Sequence, residues 1–130
     1  MMNCTLPSDK QWASRVWFDS EAMEGVRYEI VRVSFGRRIE LARRIREIGR
    51  KMEYLEAGTD AREKLEATVL AAEIDRAYLE WGLVSIEGLE IDGAAATPES
   101  LVDHGPVELA MEILGRIKSE CGMTEDERKN

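Results

Sequence analysis

The strongest constraint in this chain is a pair of apolar periodicities that face each other across a short link between Phe35 and Trp81. Leu41, Ile45, Ile48, Met52 and Leu55 recur at spacings of 4, 3, 4 and 3, the repeat that keeps apolar side chains on one stripe of an α-helix. Ser34 stands just before the run, where its hydroxyl can accept from a free backbone N–H of the first turn. The pattern predicts a helix from Phe35 to about Glu56, about 33 Å long at the usual rise, with Gly58 as its C-terminal cap. Asp60 and Glu63 have the spacing of a capping box, so a second helix is predicted from Ala61 to Trp81. Its seam reads Ala67, Leu70, Ile74, Ala77 and Trp81. A further apolar stripe, Leu65, Val69, Ala72 and Leu79, predicts burial on more than one side.

Two helices so closely linked pack antiparallel. Arg37, Arg44 and Lys51 lie seven apart on one flank of the first helix, and Glu66, Glu73 and Glu80 do the same on the second. In an antiparallel hairpin these charges meet as Lys51 with Glu66, Arg44 with Glu73 and Arg37 with Glu80. Exposed pairs contribute only about 0.2 to 1 kcal/mol each, so burial of the seam must do most of the holding.

The flanking segments read differently. Ser14 to Phe18 and Val26 to Val33 are rich in Val, Ile, Tyr and Trp and are joined by DSEAMEG, in which Gly25 can close a turn, predicting an N-terminal β-hairpin. Ile30, Val31 and Val33 break the strand alternation, which points to a bulge or to burial on both faces. After Trp81 the run Leu83, Val84, Ile86, Leu89, Ile91 is interrupted at Glu87-Gly88 and ended by Asp92-Gly93. A small hairpin turning at Glu87-Gly88 or an irregular extended segment fits it. Thr97 with Pro98 starts a short helix, which His104-Gly105-Pro106 stops. A last helix is predicted from Pro106 to Cys121, its stripe being Val107, Ala110, Leu114, Ile117 and Cys121, widened by Leu109 and Ile113 and ended by Gly122. Thr124 and Glu127 repeat the capping-box spacing and predict one further helical turn.

The fold class expected is therefore mainly α (α+β): an N-terminal β-hairpin, a long antiparallel helical hairpin, a short turn-rich segment and C-terminal helices. Residues 14–122 form one globular domain, 1–13 a flexible arm and 123–130 a tail. With 44% hydrophobic and 34% charged residues, the chain lies outside the composition that keeps a polypeptide disordered. No apolar run approaches the 18 or so residues of a membrane span, and the first 20 residues lack a signal-peptide core. The two cysteines, Cys4 and Cys121, fit a reducing cytoplasm better than a disulfide framework.

The net charge of −8 is unevenly spread. Arg27 to Lys51 holds nine cations against three acids, whereas Met52 onward holds seven against nineteen. A basic middle beside an acidic half implies either a polyanion site or elements that face each other. Arg37, Arg43, Arg44, Arg46 and Arg50 are the residues that would meet nucleic-acid phosphates, although the acidic second helix can neutralise them and no aromatics are interleaved.

Catalytic chemistry finds little purchase. His104 is the sole histidine, so metal or nucleophilic sites would rest on it alone; beside a helix C-terminus its bland role is to cap. Asp92 and Asp103 in its company specify no reaction. Gly82, Gly88 and Gly93 are spaced 6 and 5 apart, unlike any phosphate-cradling loop, and read as turns. The expectation is a protein that is not an enzyme, with no catalytic, cofactor-binding or metal-binding residues and no cofactor. Trp12, Trp17 and Trp81 read as core, or, where exposed, as a protein interface.

RVSFGRRIELARRIRE, the acidic helix ending YLEWGLVSIEGLEIDG, the ATPESLVDHGPVEL segment and the closing ECGMTEDERKN together resemble, over about residues 26–130, small bacteriophage or prophage proteins of the tail assembly chaperone type. That resemblance implies a non-enzymatic, mainly helical factor of the bacterial host cytoplasm. It would self-associate and bind a phage structural protein, such as the tape-measure protein or the tail tube subunits that assemble around it. No binding residue transfers from the family individually, and the N-terminal β-hairpin has no settled place in it. The alternative expectation is a nucleic-acid-binding regulator using the Arg-rich helix.

Overall fold

The computed structural model of the chain describes residues 10–57 and 60–122. Along it run β1 (Arg15–Asp19), β2 (Arg27–Val31), α1 (Phe35–Glu56), α2 (Ala61–Gly82), β3 (Leu83–Glu87), β4 (Glu90–Ile91), β5 (Ala94–Ala95), α3 (Pro98–His104) and α4 (Val107–Glu120). The mainly α, α+β class expected from the sequence is the one observed. Cys4, Gly58 and the Thr124–Glu127 turn lie outside the described residues.

The local start signals act as their chemistry dictates. The Ser34 hydroxyl accepts from the Arg37 N–H, and the Asp60 carboxylate accepts from the Arg62 N–H, one residue short of the Glu63 N–H, so Asp60 caps α2 without the capping box expected with Glu63. Thr97 forms a reciprocal capping box with Ser100, with Pro98 in the first turn, so each of these three helices has one of its orphan donors partnered by a side chain. Gly122, at φ 79°, follows the end of α4.

β1, β2 and β3 form one antiparallel sheet with β2 in the middle. The broken alternation near Ile30 is a bulge: Glu29 faces Ser85 while Ile30 faces Leu83, leaving Val84 over, and both Ile30 and Val31 are buried. Here the expected turn at Glu87-Gly88 is corrected. β3 pairs backward with β2, and the small hairpin is β4 with β5, turning at Asp92 (φ 53°) and Gly93 (φ 83°). Asp-Gly with both residues left-handed matches the right-handed twist of the flanking strands, whereas Glu87 belongs to the larger sheet, where Ile86 joins the core.

α1 and α2 form the predicted antiparallel hairpin. Arg37 near the start of α1 reaches the Trp81 carbonyl at the end of α2 (3.0 Å), while Leu55 and Leu70 line one cleft at the other end. Leu41 is buried and Ile45 half-buried against the main core, but Ile48 and Met52 lie outside it, so the outer half of the hairpin rests chiefly on itself. The flank charges do not pair as expected. Arg37 bonds Glu40, Glu80 bonds Arg76, and among the described residues no ion pair joins α1 to α2. Hydration of exposed charges offsets what such pairs offer. The second stripe of α2 is corrected as well: Leu79 is buried, but Leu65 and Val69 are exposed.

The core sits between the sheet and α4. Tyr28, Ile30, Leu101, Leu109, Ile113 and Ile117 are its fully enclosed side chains. The buried face of α4 therefore centres on Leu109, Ile113 and Ile117, and Val107, expected in the stripe, is 71% exposed. Gly82 is no turn glycine. It closes α2 in the core, and a Cβ there would stand 2.8–2.9 Å from three side-chain atoms of Ile117.

One carboxylate locks α4 to the β1–β2 loop. Glu112 accepts from the Ser20 hydroxyl (2.9 Å), the Glu21 and Ala22 N–H groups (3.1 and 2.9 Å) and the Tyr28 hydroxyl (2.7 Å). Arg116 donates to Tyr28 and Glu21 and lies over Phe18. Burial alone would push the Glu112 carboxyl up, but its donors outweigh this and hold it below its ordinary value. Burial, reinforced by the bond to Glu112, pushes the Tyr28 hydroxyl up to about 12.

Two outcomes follow. Gly82→Ala should cost about 1–3 kcal/mol in chemical denaturation by overpacking Ile117. The Tyr28–Glu112 link contributes to both pH edges of stability. A depressed carboxyl stabilises above its ordinary pKa and loses that as pH falls through the folded value, and a raised phenol stabilises below about 10 and loses it as pH climbs towards 12. Urea midpoints measured across pH should therefore fall on both sides. Tyr28→Phe should blunt the alkaline fall, and Glu112→Gln should cost about 1–3 kcal/mol at neutral pH.

Candidate functional site

A long open groove runs between α2 and α4, with α3 at one end. It encloses about 790 Å³ and its walls are mostly apolar: Val69, Ala72 and Leu79 from α2, Val102 from α3, and Val107, Ala110, Met111 and Leu114 from α4. The local cause is that both helices carry more apolar residues than the core takes up. α4 turns Leu109, Ile113 and Ile117 inward and leaves Val107 and Met111 (56% exposed) outward, while α2 leaves Leu65 (68%) and Val69 (49%) outside.

Charged pairs fix the walls. Arg76 bonds Glu80 (2.9 Å) and Asp103 (2.7 Å), tying α2 to α3, and Lys118 bonds Asp75 (2.9 Å), tying α4 to α2. The Asp103 bond raises the Arg76 pKa further. Glu73, also on the wall, takes part in no ion pair among the described residues. The groove thus offers apolar surface with an uncompensated negative charge. Among the residues that line it, none pairs a nucleophile with a base.

No family model, curated protein or solved structure matches the chain. The groove must be read from its own residues.

The structure does not gather the three tryptophans into one surface. Trp12 is 64% exposed with Arg32 stacked 4.6 Å from its ring centre. Trp17 is half-buried on the sheet face away from the core, under Arg27 at 4.5 Å. Trp81 is buried, with Arg37 5.1 Å from its ring. Each indole is covered by a guanidinium, an arrangement worth about 0.5–1 kcal/mol at exposed sites.

The arginines of α1 divide. Arg37 is tied to Glu40 and the Trp81 carbonyl, while Arg43, Arg44, Arg46 and Arg50 are exposed and enter no ion pair among the described residues. His104 is exposed at the end of α3. Asp92 sits in the β4–β5 turn and Asp103 is engaged by Arg76, so the three do not assemble. Among the described residues, no group of three or more His, Cys, Asp or Glu is placed to hold a metal, and no helix is long and apolar enough to cross a membrane.

Sequence reasoning missed the groove by assigning Val107 and the second α2 stripe to the core. The available signal was surplus: each helix has apolar residues around more of its circumference than one partner can cover.

Proposed function

We propose that the protein is a non-enzymatic assembly factor that binds another protein through the α2–α4 groove. The observation that carries this reading is the exposure of Val69, Val107 and Met111 along one apolar trough, surface the fold has no internal use for. The occupant is an amphipathic helix, apolar on the face it lays into the groove and edged with Lys or Arg opposite Glu73. The resemblance to tail assembly chaperones supports naming its owner as a phage tape-measure protein or another tail structural protein, with self-association of the factor as part of the same activity.

Titration calorimetry with overlapping helical peptides from the tape-measure protein of the same genome tests it. One or more peptides should bind, and Val69→Asp and Met111→Asp should each weaken binding at least about tenfold, or about 1.4 kcal/mol. Both positions are exposed, so the melting curve should move by no more than about 0.5 kcal/mol of stability. Absence of any binding peptide, or binding indifferent to both substitutions, removes the proposal.

A second reading has one observation in its favour, the exposed Arg43, Arg44, Arg46 and Arg50 on α1, which enter no ion pair among the described residues. It makes the protein a duplex-DNA-binding regulator, with Arg37 at the helix start. Binding that weakens steeply with salt and is lost when Arg43, Arg46 and Arg50 are changed together to Gln would select it; the net charge of −8 argues against it.

A further inference from the structure

Two shielded side-chain nitrogens have no hydrogen-bond partner among the described residues, Arg32 Nε and Trp81 Nε1, and both residues line the same cleft. Buried donors are satisfied in most proteins, so a pair left open in one place calls for an explanation. The cleft encloses about 430 Å³ where the sheet meets the start of α1 and the end of α2. It is far more polar than the α2–α4 groove: Arg15, Arg32 and Arg37 line it together with Ser14 and Ser34.

The charges there do not balance. Glu120 stands 3.5 Å from Arg32 Nε, outside hydrogen-bond geometry, and Glu40 bonds Arg37 at 2.7 Å. Arg15 enters no ion pair among the described residues. Three guanidiniums thus answer to two carboxylates, and the N-terminus of α1, whose first turn carries no acidic residue, adds its positive end. The guanidiniums come from β1, from the residue after β2 and from α1, three different backbone directions. A planar carboxylate satisfies one such fork, whereas a tetrahedral oxyanion presents acceptors to several.

We propose that this cleft is a binding site for a phosphate-class oxyanion, free or as a small phosphomonoester, held by Arg15, Arg32 and Arg37 with the Trp81 indole N–H as a further donor. Because Arg32 Nε and Trp81 Nε1 are shielded, entry requires the long Arg32 and Arg37 side chains to slide on the rings they cover. An oxygen of the anion then supplies the acceptor that the protein lacks.

The test follows the indole N–H signals of the isotopically labelled full chain by NMR, with Trp81→Phe assigning one of them. Inorganic phosphate and, separately, glucose 6-phosphate are titrated against sodium chloride at matched ionic strength. The expected result is a saturable shift of the Trp81 signal with a midpoint below about 10 mM, weakened at least about tenfold by Arg15→Gln. Tighter binding of the sugar phosphate identifies an ester as the ligand, and tighter binding of inorganic phosphate identifies the free ion. Arg15 is exposed, so its substitution leaves the fold intact; Arg32→Gln is the second variant and should weaken binding likewise. A shift that only tracks ionic strength, or a saturable one unchanged in both variants, overturns the site.

Discussion

The core of the structure depends on the contact between α4 and the inner face of the sheet. Leu109, Ile113 and Ile117 are fully enclosed, as are Tyr28 and Ile30 opposite them, and each such side chain contributes about 1.5–3 kcal/mol on leaving water. Apolar burial has no direction, however, and would tolerate rotation or sliding of the helix. Glu112, beside Ile113 in the chain, removes that freedom. Its four donors come from one loop and from Tyr28, so the register of α4, the shape of the β1–β2 loop and the position of the central strand are fixed at one carboxylate. Gly82 sets the remaining constraint, because only a residue without a Cβ lets the end of α2 meet Ile117.

The helical hairpin shows which force wins when two are available. Its charge flanks could pair across the helices and do not, whereas its apolar seam forms. Arg37 illustrates the competition: at the distance where Glu80 was a candidate, it takes Glu40 in its own helix and the Trp81 carbonyl, an acceptor already held in place by the backbone. Glu80 is occupied by Arg76, which also holds Asp103. Short-range partners cost less side-chain entropy than long flexible arms meeting in water. The consequence is a helix whose remaining arginines face solvent and a second helix whose Glu73 has no ion-pair partner among the described residues.

Most of the elements were legible because their causes are local. The span of α1 follows from the 4-3-4-3 repeat and Ser34, that of α3 from Thr97-Pro98, and the left-handed Gly25 and Gly93 from the turns they close. What was not legible depends on residues distant in sequence. β3 pairs with β2, more than fifty residues earlier, so its own neighbourhood could suggest only a local hairpin. Glu112 lies in a helix that already has a good pattern without it, and its partners are about ninety residues away. The inward face of α4 was displaced because Val107 fits the repeat as well as Leu109 does, and only the placement of the sheet decides between them. The site residues suffered most. Trp12, Trp17 and Trp81 share a residue type but not a surface, whereas the groove is made of ordinary aliphatics that sequence reading assigns to a core by default.

The two surface features left over from folding differ in kind, and the difference bears on what each can bind. The α2–α4 groove is long, open and apolar, with Asp75 and Arg76 engaged in pairs that brace its walls and Glu73 in no ion pair among the described residues, so it gains by covering area and suits a helix. The cleft at the start of α1 is small and polar, with donors that lack acceptors, so it gains by completing hydrogen bonds and suits a compact anion. Trp81 and Arg37 belong both to the cleft and to the base of the helical hairpin. An anion that displaced Arg37 from the Trp81 carbonyl would loosen a hydrogen bond that joins the two ends of that hairpin, two residues from Leu79 on the α2 wall of the groove. The two sites are nevertheless separable by mutation: Arg15 lines the first alone, and Met111 the second alone.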